Sequence, residues 1–393
     1  MRDAVIVDAV RTPVGKRGGS LSGIHAVDLS AHVLTALAER NGLDPATVDD
    51  VVWGTVSQVG EQSGVVGRFA ALAAGWPESV PGVSVSRACG SSQQSVHFAA
   101  GLVVAGQYDI AVAGGVESMS RVPMGSARDV PGAGSPYGPL VLDRYFPGGR
   151  GGFDQGVGAE MIAERYGFSR ARLDRHALDS HERAARAVDE GRFAAQIAPV
   201  TVTVAGAEGG TRVFDTDEGV RRGSTPEKLA ALKTPFKENG VVSAGNSSQI
   251  SDGAAALLIT TSEIARRHGW RPIARVHTAV LAGADPVTMA LGPAPATEKA
   301  LRRAGLSLGE IGAFEINEAF APVTLAWLRE TGADYALMNP LGGAMAIGHP
   351  LGGSGARLMT TLVHHMRDNG IRYGLQAMCE AGGMANATIL ELL

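Results

Sequence analysis

Cysteine is scarce. The chain has 393 residues and only two cysteines, Cys89 and Cys379. Two thiols cannot form a disulfide framework, so the expected setting is reducing and cytoplasmic. Charge of one sign is lacking too: the formal net charge is −4, and no basic excess points to nucleic acid. No apolar run approaches the roughly 20 residues that a membrane helix needs. The opening MRDAVIVDAVRTP has one early Arg and an Asp inside its short apolar run, so no secretory signal is expected. HExxH, paired CxxC, GxxxxGK[ST] and GxGxxG are all absent, so no metal site, P-loop or dinucleotide fingerprint is offered.

What is present is core and glycine. Hydrophobic residues make up 45% and charged residues 19%, a globular balance with a large interior. The 53 glycines cluster in GGAMAIGHPLGGSGAR (342–357) and CEAGGMANA (379–387). Such runs cost backbone entropy and need a reason, either positive φ or a close approach to the main chain.

Apolar patterning predicts strands at 4–10, 51–54, 83–86 and 110–115, with helices at 27–42, 62–75 and 89–105 between them. That order implies a sheet with helices on its faces. From about 121 to 247 the character changes: DVPGAGSPYGPLVLDRYFPGGRGG (129–152) is aperiodic loop, followed by helices near 155–166 and 170–190. Alternation resumes at about 271 and runs to the C-terminus. IAVAGGVESMS (110–120) and LQAMCEAGGMANA (375–387) each read as a strand followed by a Gly-Gly turn. Cys89 heads the helix before the first and His349 the helix before the second, which reads as a duplicated βα unit.

Four positions carry candidate chemistry. Cys89 stands where unpaired N–H groups and the helix dipole would lower a thiol pKa, although a free Cys is more often a small buried hydrophobe. Cys379, at a strand end, could serve as acid or base, or be a plain strand residue. His349, in Gly348-His349-Pro350, is fixed at a helix entrance and could exchange protons near neutral pH. Asn317 could orient a water or simply cap a helix. His176, His181, His364 and His365 fall in amphipathic helices and read as surface residues.

CGSSQQ (89–94), NEAFA (317–321), NPLGGAMAIGHPLGGSGAR (339–357) and the CEAGG segment from 379, in this order, resemble the thiolase family over essentially the whole chain. The resemblance implies an α/β fold of two duplicated βαβαβαββ halves in a five-layered α-β-α-β-α core, with a large loop-domain insertion. The expected halves are 1–120 plus 248–270, carrying Cys89, and 271–393, carrying Asn317, His349 and Cys379. Residues 121–247 would be a loop domain binding coenzyme A.

The resemblance also implies roles. Cys89 is the nucleophile, His349 draws its proton, Cys379 is the second acid/base, and Asn317 holds a water at the enolate oxygen. Backbone N–H groups of Cys89 and Ala381 form the other oxyanion hole. Of Arg221, Arg222, Lys228 and Lys233, Arg221 best matches the family's CoA-contacting arginine, and Ser248 matches its CoA-contacting serine. Coenzyme A enters as a substrate, with no tightly bound cofactor and no metal. CoA thioesters are the partners, with neither nucleic acid nor membrane, and a homodimer or homotetramer is implied.

Two departures bear on specificity. Ala381 and Glu380 stand where a glycine and an apolar residue are common, and Asp154-Gln155 replaces the His-Met frequent in biosynthetic acetoacetyl-CoA thiolases. A left-handed backbone at Ala381 would be strained. The C-terminal segment resembles degradative thiolases, including those of bacterial sterol catabolism. The expectation is therefore cleavage of 3-ketoacyl-CoA through acyl-Cys89. Acetoacetyl-CoA synthesis, a ketoacyl synthase and a non-catalytic CoA-binding scaffold are the alternatives.

Overall fold

Apolar runs that alternate in burial direction build the core strands. In β1 (Val5–Arg11), Val5, Val7 and Val10 pack to one side of the sheet, and Ile6 and Ala9 to the other. The spacing works because the pairing register slips between Ile6 and Asp8, and one extra residue reverses the parity. The computed structural model describes residues 2–128, 130–149, 151–204 and 210–393.

After β1 come β2 (Gly15–Lys16), α1 (Ala26–Asn41), β3 (Asp50–Gly54), α2 (Val66–Ala73), β4 (Gly82–Val85), α3 (Ser91–Ala105) and β5 (Ile110–Ser118). The segment beyond β5 holds α4 (Pro139–Tyr145), α5 (Gln155–Tyr166), α6 (Arg170–Asp189), β6 (Val200–Val204), β7 (Gly210–Phe214) and α7 (Pro226–Ala230). The chain returns through β8 (Ser251–Thr260) and α8 (Ser262–Arg267). It closes with β9 (Ala274–Gly283), α9 (Pro293–Ala304), β10 (Ala313–Ile316), α10 (Ala321–Thr331), α11 (Ser354–Asn369), β11 (Tyr373–Glu380) and β12 (Met384–Leu392).

The strand order is β10-β11-β12-β9-β1-β8-β5-β3-β4. The two halves of this path share one pattern. β1-β8-β5 run antiparallel and β5-β3 parallel; β9-β12-β11 run antiparallel and β11-β10 parallel. Among the described residues, the strand pairs that join them are Val5–Arg275 and Ile6–Ala274. α3 precedes β5 as α11 precedes β11, so the duplication expected from the sequence is present in the topology.

Layering follows from the apolar faces. α1 and α2 cover one face of the first half, while α3 and α11 fill its other face. Gln93 of α3 donates to Thr388 of β12 at 2.7 Å and Gln376 of β11 to the Gly355 carbonyl of α11 at 2.9 Å, so the same two helices also back the second half. α9 and α10 cover the outer face of that half. The result is α-β-α-β-α, as expected. α5 and α6 of the inserted segment pack on α10, and Asp217 forms a fully buried ion pair with Arg11 at 2.7 Å.

Two readings are corrected. Gly114-Gly115 is not a turn, because β5 continues through it to Ser118. A Cβ on Gly115 would lie 2.4 Å from the Gly352 carbonyl oxygen, so glycine serves close packing there. His176, His181 and His364 are buried, not surface residues. His176 bonds Tyr335 and Thr324, His181 accepts from Arg221 N–H, and His364 bonds the Ala9 carbonyl, so each ring fills a polar gap.

Candidate active site

Cys89 sits between β4 and α3. Ala88 takes a left-handed φ of +45°, the chain reverses, and Gly90 is the N-cap of α3. Cys89 thus stands just ahead of the helix, buried against Met119, Leu351 and Met378. Burial raises its thiol pKa well above the ordinary value, and the neighbouring Cys379 and Glu380 add to the rise. This reverses the expected lowering: desolvation outweighs the helix dipole, and Cys89 rests as a thiol.

His349 follows Gly348, and its N–H donates to the Gln249 carbonyl at 3.1 Å. Nδ1 lies 2.6 Å from Ser354 Oγ, which itself lies 2.9 Å from the Pro350 carbonyl. The carbonyl can only accept, so the hydroxyl proton goes there and Ser354 accepts from Nδ1–H. Nε2 is then the free acceptor, and Asn317 Nδ2 approaches it at 3.5 Å. Burial, assisted by Arg357, lowers the His349 pKa to about 3, so the ring is neutral across the working range.

Asn317 does not cap a helix, since Phe320 is the N-cap of α10. Its Nδ2 also faces Cys379 Sγ at 3.9 Å, and its buried Oδ1 has no protein partner. Asn339 fixes this segment by accepting from Ile316 N–H at 2.8 Å and donating to the Ile316 carbonyl and to Glu318, both at 2.9 Å. Cys379 is buried on β11 beside Ala319 and Val323, and burial pushes its thiol pKa up to about 12. The β11–β12 turn is left-handed at Gly382 (φ +89°) and Gly383 (φ +72°). Ala381 is not left-handed, so its Cβ brings no strain there.

A cleft of roughly 470 Å³ opens onto this group. His349 lines it, together with Met119 and Leu351, which belong to the same buried cluster as Cys89. Arg221 and Ser248 line the same cleft, as do Lys16 and Arg17, which the sequence reading missed. Three cations and no carboxylate among the lining residues make it a place for an anionic ligand. Gln155 and Phe236 form part of the wall. Arg222 points elsewhere and pairs with Asp189 at 2.6 Å, and Lys228 donates to the Gly223 carbonyl.

Ser354 and Asn339 also escaped the sequence reading. The one available signal was their place in the glycine-rich stretch around His349. Glu117 was missed as well; it accepts from Val56, Ser57 and Gly352 N–H and from Gln62, pinning the loop between His349 and α11. Among the described residues, no group of three His, Cys, Asp or Glu could hold a metal ion, and no helix is long and apolar enough to cross a membrane.

The family described as thiolase, N-terminal domain, matches residues 4–263, and thiolase, C-terminal domain, matches residues 270–392. The chain is 48% identical to the steroid 3-ketoacyl-CoA thiolase FadA6 of Mycobacterium tuberculosis, covering 100% of this chain and 95% of that protein. It is 44% identical to the 3-ketoacyl-CoA thiolase of Erwinia tasmaniensis, covering 100% of both. The crystal structure of the Bacillus anthracis acetyl-CoA acetyltransferase superposes with a TM-score of 0.90 at 36% identity, over 100% of this chain and 99% of that one.

Proposed function

The chain belongs to the thiolase family, and on that premise we propose that it cleaves 3-ketoacyl-CoA with coenzyme A, passing the acyl group through Cys89. The observation that carries this reading is that Asn317 faces both His349 and Cys379, while His349 lines a cleft together with Met119 and Leu351, which share a buried cluster with Cys89.

His349 Nε2 takes the Cys89 proton as Sγ adds to the 3-keto carbon. The bond between carbons 2 and 3 breaks, and its electron pair goes to carbon 2. Cys379 delivers a proton there, releasing acetyl-CoA. The resulting Cys379 thiolate takes the proton of the incoming CoA thiol. The CoA sulfur attacks the acyl carbon, and Cys89 leaves with a proton returned from His349.

Each developing oxyanion needs fixed donors. Protonated His349 and a water on Asn317 serve the enolate oxygen, and the N–H groups of Cys89 and Ala381 serve the tetrahedral oxyanion. A Cys379 held protonated at rest suits the cleavage direction. The same groups run in reverse would condense two acetyl-CoA, a reading favoured by the likeness to the acetyltransferase structure.

The finer assignments rest on the same cleft. Arg221 and Ser248, in or beside the 121–247 segment, hold coenzyme A, and Lys16 and Arg17 add charge for its phosphates. No tightly bound cofactor takes part. The apolar wall, and the relative named as a steroid thiolase, favour bulky acyl groups. β4 is a sheet edge with Val83 and neighbouring Phe69 exposed, which suits a homodimer or homotetramer in the cytoplasm.

The test is mass spectrometry of the protein after mixing with a 3-ketoacyl-CoA. The wild type should carry one acyl group on the peptide containing Cys89, and Cys89→Ala should carry none. An adduct surviving in the variant overturns the proposal.

A further inference from the structure

Glu380 is one of the buried ionisable groups that the proposed mechanism leaves unused. It follows Cys379 on β11, and its side chain projects from the opposite face of the strand, toward the head of α3. It is 2% exposed, and neither carboxyl oxygen has a protein partner. Its carboxyl packs against Gly90, the residue after Cys89: a Cβ on Gly90 would fall 2.0 Å from Glu380 Oε1. Asn386 of β12 closes the other side, donating to the Gly90 carbonyl at 3.1 Å while its own Oδ1 is unpartnered.

The groups facing this carboxyl are few. Ahead of α3, Arg87 is the nearby cation; its buried Nε has no partner and its Nη1 reaches only Met384 Sδ, at 3.6 Å. Cys89 lies beside it on the same segment and Cys379 behind it on β11. His97, farther along α3, is neutral and bonded to Thr388. β12 presents Met384 and Asn386, neither of which titrates. Glu117 also reaches Cys89, from β5, but is fixed by its four donors.

We propose that Glu380 is a positioning residue that governs the ionisation of both thiols. Its carboxyl, sealed between the head of α3 and β12, is neutral in the resting protein and becomes an electrostatic brake on Cys89 and Cys379 when it loses its proton. The proposal rests on these being the two catalytic cysteines. Burial supports it, placing the proton loss at about 8 even with Arg87 opposing the shift. Above that pH, a carboxylate beside two thiols disfavours both thiolates. Glycine at position 90 follows from the same packing, because any side chain there would expel the carboxyl.

The experiment is the pH dependence of iodoacetamide alkylation at Cys89, read on its peptide by mass spectrometry. Glu380→Gln keeps the shape of the neutral acid. The variant and the wild type should react alike at about pH 6, and the variant at least about threefold faster at about pH 9. Glu380→Asp, which restores the charge, should bring back the slower alkaline rate. A ratio constant over the whole range, or an Asp variant that behaves like Gln, overturns the proposal.

If Glu380→Gln does not fold, the wild-type profile decides. A plain single-thiol titration overturns the brake, whereas a rise that flattens above about pH 8 supports it. Acylation of Cys89→Ala would overturn the catalytic assignment and leave this alkylation result standing, so the two failures are distinguishable.

Discussion

At the scale of single residues, the site is defined by groups that rest uncharged. His349 has its pKa lowered to about 3 and Cys379 raised to about 12, while Cys89 is raised further. Because the depressed value leaves His349 an unprotonated base at any pH well above 3, its ionisation produces no acid limb near the ordinary value of 6.5. Initial thiolysis rates should therefore show kcat/KM free of a break there. Ser354→Ala removes the acceptor that fixes the His349 tautomer, and kcat should fall on the order of 10- to 100-fold with KM little changed.

The side chains proposed to react stood out in the sequence because cysteine is rare and His349 stands in an unusual setting. The groups that orient them were not. Ser354 and Asn339 are common residue types whose work appears only when distant backbone atoms meet them.

At the scale of elements, glycine placement decides how closely the loop after His349 approaches the first half of the sheet. A Cβ on Gly352 would come within 2.6 Å of the Val116 carbonyl and 2.7 Å of Glu117. Gly352→Ala should cost about 1–3 kcal/mol by overpacking, measured by urea unfolding. Periodicity found most helices, helped in α1, α3, α5, α9, α10 and α11 by a left-handed glycine just past the end. It did not find β8. That strand, SDGAAALLIT, is buried on both faces, so it lacks the alternation that marks a half-exposed strand. Gly114-Gly115 misled for a related reason: a pair of glycines has the same appearance in a turn and in a strand crossed by another backbone.

At the scale of the whole molecule, the inserted segment is fastened to the core by charge as well as by apolar contact. Arg11 and Asp217 are fully buried, with a second Asp217–Arg11 contact at 3.0 Å and a bond from Val14 N–H at 2.8 Å. Asp217→Asn leaves the guanidinium buried without its counter-charge and should cost about 3–5 kcal/mol, measured by the urea midpoint. A sheet with helices on its faces was legible from the order of strands and helices, and the five layers from the family resemblance. This tie was not, since its partners are 206 residues apart.

The seam between the two sheet halves has a further consequence. Cys89 comes from one side of it, and Asn317, His349 and Cys379 from the other. The connection between α8 and β9 passes through exposed His268 and Gly269, while among the described residues two strand pairs cross the seam. A backbone cut there divides the proposed catalytic groups between two fragments. On the proposed mechanism neither fragment alone turns over substrate, and activity depends on their concentration, as in a complementation pair whose signal is thioester cleavage.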